Sequence, residues 1–94
     1  MSDRFIKLPH HINDLLIRGS FNMTQVRILH VIIKYTYGYH RSWHPLSLTF
    51  LAEATGCIKR QVTRELTKLI EDKVVLARFE DGERLLRINP KVPY

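Results

Sequence analysis

The sequence predicts a mainly α-helical chain closed by a small β-hairpin. Three observations predict it. Apolar residues recur at helical intervals from Ile12 to Ile70, the period shortens to two after Lys73, and an Asp81-Gly82 pair divides the alternating stretch. Ninety-four residues with 45% hydrophobic content supply one core and leave no length for a second module, so residues 1–94 are expected to form one domain.

The elements follow in order. Phe5, Ile6 and Leu8 lead into Pro9, which predicts an extended arm over 1–10. Ile12, Leu15 and Leu16 have helical spacing, giving a short helix from His11 to Arg18 before Gly19. Asn22-Met-Thr-Gln25 is a capping box, with an N-cap amide and a glutamine three residues on. Val26, Leu29, Ile32 and Ile33 then mark a scaffold helix, which Gly38 is expected to stop.

Residues 38–45 show no period and predict a loop, with a strand of one or two residues at Leu46. Ser47 is an N-cap for a helix through Thr55 that turns Leu48, Leu51 and Ala52 inward and ends at Gly56. Val62, Leu66, Leu69 and Ile70 define one side of the next helix, which runs to about Asp72. Val74 to Phe79 and Arg84 to Ile88 read as strands joined through Asp81-Gly82, because a primed turn needs positive φ. Pro90 and Pro93 predict an extended tail.

This order is that of a winged helix-turn-helix, with the helix-turn-helix at 47–72 and the wing hairpin at 74–88. Small Ala52 lets the two helices approach, and Gly56 permits the sharp turn between them.

Fifteen Lys and Arg against nine Asp and Glu leave a net charge of +6, which favours a polyanion as partner. The helical period locates part of that charge. With Val62, Leu66, Leu69 and Ile70 in the core, Lys59, Arg60, Gln61, Thr63, Arg64, Thr67 and Lys68 face outward. Arginine pairs with guanine through two hydrogen bonds and glutamine does so with adenine, so this is a candidate reading face for double-stranded DNA. Thr67 and Lys68, further along, are expected on phosphates.

Arg78, Arg84 and Arg87 lie in the hairpin, where a wing reaches the DNA backbone or minor groove. Glu80, Asp81 and Glu83 surround its tip and repel phosphate, which makes the wing the weaker contact. Glu53 and Glu65 are assigned to solvated helix faces.

Other residues are read as structural. Tyr35, Tyr37, Tyr39 and Trp43 are expected to pack across the scaffold helix and loop, with stacking on unpaired bases as the alternative. His10, His11, His40 and His44 lack an adjacent acid or thiol, so no metal is expected. Cys57 is the only cysteine, which excludes an intrachain disulfide and points to a reducing compartment. Neither a nucleophile motif nor a phosphate-cradling glycine loop is found, so neither catalysis nor a cofactor is expected. The chain has no long apolar run and no signal-peptide core, which predicts a soluble, cytosolic protein.

Several segments together resemble the N-terminal domain of the bacteriophage replication protein O family. They are FIKLP from Phe5 to Pro9, Val26 to Leu29 running on to KYTYG from Lys34 to Gly38, LSLTFLAEATG from Leu46 to Gly56, and KRQVTR from Lys59 to Arg64. The similarity extends to about Val75. It implies an initiator that binds repeated origin sites as a homodimer and engages helicase-loading machinery through a C-terminal region not contained here. By position it assigns recognition to Lys59, Arg60, Gln61, Thr63 and Arg64. Ile58 departs from the family pattern, which has Ser or Thr as the N-cap, at a cost of about 1 kcal/mol to the cap. A chain without the partner-recruiting region is expected to be a fragment or a stand-alone binder. Two other readings stay open: a transcriptional repressor using the same surface, and a winged helix that docks on replisome proteins without binding DNA.

Overall fold

The computed structural model describes residues 10–91. The arm expected over 1–10 lies outside these residues except for His10, which opens helix α1 (His10–Arg18). Ile12 and Leu15 of α1 are fully buried, while Ile17 on its far side is exposed. Helix α2 (Met23–Tyr35) starts as its sequence demands. The Asn22 side chain accepts from the Gln25 backbone N–H at 2.8 Å, and the Gln25 side chain accepts from the Asn22 N–H at 3.1 Å. Ile28, Leu29, Ile32 and Ile33 form its core stripe, and it packs against both later helices and the sheet.

Helix α2 ends at Tyr35, before Gly38, where the Thr36 carbonyl turns to accept from the Tyr39 and Arg41 N–H groups at 3.2 and 2.7 Å instead of continuing the helix. Residues 38–45 are not a plain loop. Tyr37–Tyr39 form a 3-10 turn, and strand β1 is His44–Pro45, with Leu46 just past it donating its N–H to the Arg84 carbonyl. Part of the aromatic packing expected here is present: the Tyr35 ring lies 5.2 Å from Phe50, edge-on, 5.2 Å from His44 and 5.5 Å from Tyr39, whereas Trp43 lies against Arg78 and Arg87 of the hairpin.

Helix α3 (Leu48–Thr55) is capped by Ser47, whose hydroxyl accepts from the Phe50 N–H, and it stops at Gly56 with φ +74°. Helix α4 (Lys59–Glu71) follows after a short turn. Ile58 sits at its N-cap position with no side-chain hydrogen bond, so the first-turn N–H groups have no side-chain acceptor there. At the other end the Val74 N–H reaches the Leu69 carbonyl and the Lys73 N–H reaches that of Ile70, with Lys73 left-handed at φ +63°. This is a Schellman stop built on lysine instead of glycine, and the apolar contact that accompanies such stops is supplied by buried Leu69 and Val74.

Strands β2 (Val75–Glu80) and β3 (Glu83–Ile88) form an antiparallel hairpin, and β1 joins the other edge of β3, giving the order β1-β3-β2. Asp81 at φ +51° and Gly82 at +78° form the two-residue turn. Cross-strand partners share a face. Val75, Ile88, Ala77, Leu86, Phe79 and Arg84 therefore lie on one face, and Leu76, Arg87, Arg78, Leu85, Glu80 and Glu83 on the other. The first face carries the fully buried Val75, Leu86 and Ile88, which complete the core with Leu46, Leu51, Val62, Leu66 and Leu69. Helices α2, α3 and α4 over a three-stranded antiparallel sheet make the winged helix-turn-helix arrangement.

Candidate nucleic-acid interface

Helix α4 turns about 100° per residue. Val62, Leu66 and Leu69 bury one side of it, and Ile70, expected beside them, is only half-buried at the edge. Arg60, Arg64 and Thr67 fall opposite this stripe, with Thr63 and Lys68 to either side and Lys59 on the flank nearest the wing. All six are exposed. Thr63 and Thr67 donate their hydroxyl protons to the carbonyls four residues back, at 2.9 and 2.8 Å. Outward they present a methyl group and an acceptor lone pair.

Two residues depart from the outward pattern. Gln61 is half-buried, and its amide nitrogen donates to the Thr24 hydroxyl of α2 at 2.9 Å, so it is held inward. Glu65 is not on a solvated face: it is 4% exposed. Asn22 Nδ2 donates to its Oε1 at 3.1 Å, and Arg64 Nε to its Oε2 at 3.2 Å. The Asn22 hydrogen bond, followed by Arg64 and the nearby Lys68, holds this carboxyl below its ordinary range against the opposing effect of burial. Consequently every charged side chain exposed between Lys59 and Lys68 is basic.

The sheet separates the three wing arginines. Arg84 lies on the helix-facing side of the sheet, and partial burial lowers its pKa from the ordinary value, though a guanidinium stays charged at any physiological pH. It lines a groove of about 590 Å³ with Lys59, Phe79, Gly82, Glu83 and the start of α3. Arg78 and Arg87 are on the opposite face, with guanidinium carbons 4.6 and 5.6 Å from the centre of the Trp43 ring. Arg78 also pairs with Glu80 at 3.0 Å. Buried Arg87 Nε has no hydrogen-bond partner among the described residues.

Arg27 was not among the sequence candidates. It is exposed on α2 and lies beside Cys57 in the turn between α3 and α4, which brings a further cation near the start of α4. Its signal in the sequence is only its position opposite the α2 core stripe. Among the described residues no group of three His, Cys, Asp or Glu side chains is placed to hold a metal, and no helix is long and apolar enough to cross a membrane.

Fold and surface together define a winged helix-turn-helix protein with a basic second helix. The model of the bacteriophage replication protein O family matches residues 1–92, and the chain belongs to that family. No match was found among curated proteins or among solved structures.

Proposed function

We propose that this chain is the DNA-binding part of a replication initiator, reading double-stranded DNA at an origin of a phage or related mobile element. One observation carries the proposal: the exposed side of α4 holds Lys59, Arg60, Arg64 and Lys68 with no exposed acid among them, because Glu65 is turned into the protein. A helix projecting cations from a rigid scaffold suits the major groove, where Arg60 and Arg64 have the geometry for guanine and the threonine methyls suit thymine. Lys59, Lys68 and Arg84 flank that centre and are assigned to phosphates. Family membership supplies the replication context. Binding as a homodimer, and contact with helicase-loading machinery, extend the same reading.

The test is to recover and sequence genomic fragments bound by the purified protein, then titrate a bound site at several salt concentrations. Clustered repeats within an origin are expected, with log K falling against log salt at a slope of about −5 for roughly six neutralised phosphates. Recovery of a promoter operator instead would make the chain a repressor. Absence of duplex binding at low salt would leave only a protein-docking role.

A further inference from the structure

Helix α4 is joined to the start of α2 by a run of polar contacts that ends on one recognition arginine. Asn22 caps α2 through its Oδ1, which accepts from the Gln25 N–H at 2.8 Å. That bond fixes the orientation of the amide and leaves Nδ2 to donate to Glu65 Oε1 at 3.1 Å. The other carboxylate oxygen accepts from Arg64 Nε at 3.2 Å. The Glu65 side chain is 6% exposed and that of Arg64 59%, so the pair spans the boundary between interior and solvent.

Adjacent residues on a helix diverge by about 100° and do not normally face each other. Here Arg64 leans across the helix to meet a carboxylate that Asn22 already holds. A guanidinium has five N–H donors in a fixed plane. Engaging Nε points the opposite end, with its terminal amines, along one direction, and paired donors there match the O6 and N7 acceptors of guanine. A long side chain that loses its rotamer freedom before binding loses less on binding, which raises discrimination between correct and incorrect bases.

Resting on the DNA-binding reading above, we propose that Glu65 is a positioning residue for base recognition: held by Asn22, it orients Arg64 so that Arg64 selects guanine at one position of the site. Glu65 itself touches no DNA. Asn22 is required as asparagine, since serine caps a helix equally well but its short side chain has one oxygen for both tasks and no separate amide nitrogen to extend to Glu65.

The experiment selects duplexes from a randomised pool with the wild-type chain and with Arg64→Ala, Glu65→Gln, Glu65→Met and Asn22→Ser, and sequences them. Circular dichroism and thermal melting identify the variants that fold. Arg64→Ala is expected to erase a guanine preference at one position. Glu65→Gln and Asn22→Ser are expected to weaken the preference at that same position about tenfold, with affinity for random duplex within twofold of wild type. Glu65→Met gives a second reading should the glutamine variant misfold.

Retention of the guanine preference by folded Glu65 and Asn22 variants would overturn the positioning role and leave the DNA-binding reading intact. An equal loss of affinity for every duplex would do the same, by making Glu65 merely structural. Failure of the wild-type chain to select any sequence would overturn both.

Discussion

The Gln61 amide nitrogen lies 2.9 Å from the Thr24 hydroxyl, joining the first turn of α4 to the first turn of α2. Thr24 is 8% exposed, so removing its partner leaves a nearly buried hydroxyl with one interaction fewer. Gln61→Ala is expected to lower stability by about 1 kcal/mol in urea unfolding. Its effect on duplex affinity is expected to be smaller than that of Arg60→Ala, the reverse of what an adenine-reading glutamine would give.

Arg60, Arg78 and Arg84 separate three roles in DNA titrations. Arg60→Ala is expected to cost about 1–3 kcal/mol on the selected site and much less on random duplex. Arg84→Ala is expected to weaken both equally and to reduce the salt slope by about 1, as for a phosphate contact. Arg78→Ala is expected to leave both nearly unchanged, because its guanidinium lies over Trp43 on the sheet face turned away from the groove.

Both ends of α4 leave stability to be gained. Ile58 offers no cap, so Ile58→Ser is expected to stabilise by about 1 kcal/mol. Lys73 occupies a left-handed position that glycine adopts without steric cost, so Lys73→Gly is expected to stabilise by about 0.5–1 kcal/mol. Urea midpoints measure both. A loss of stability in Lys73→Gly would show that the lysine side chain makes a stabilising contact of its own.

Two groups weaken the fold on acidification, in separate pH ranges. Glu65 titrates below the ordinary carboxylate range when folded, so its contribution is complete above about pH 4.5 and is lost as pH falls through the lower folded value. Glu65→Gln is expected to flatten that acid limb. His44 is also lowered, chiefly by burial and then by the Arg41 charge, against a smaller opposing effect of Glu83. The unfolded chain therefore takes up its proton first, and stability is full above about pH 6.5 and declines below it. His44→Phe is expected to remove that decline in urea midpoints taken between pH 7 and 5.

Local chemistry made most of the fold legible. The Asn22 capping box, the Ser47 cap, the Gly56 stop and the Asp81-Gly82 turn act within four residues, and each stands where the sequence places it. The core stripe of α4 was equally readable, because burial follows the helical period. Helix α2 was harder to end, since it stops at Tyr35 where the Thr36 carbonyl accepts from Tyr39 and Arg41, before Gly38 is reached. The lysine-based stop of α4 carries no glycine to announce it.

What the sequence determined by itself is the order of elements, the helix and turn boundaries set by near neighbours, and the basic outward side of α4. Only the tertiary structure decided which polar residues stay outward. Asn22 and Thr24 approach α4 from positions 43 and 37 residues away in the chain, drawing Glu65 and Gln61 inward. The register of β2 on β3 likewise sends Arg84 toward Lys59 and leaves Arg78 and Arg87 beside Trp43. Periodicity says which direction a side chain leaves its own backbone, whereas its partner is set by what other segments bring within hydrogen-bonding reach.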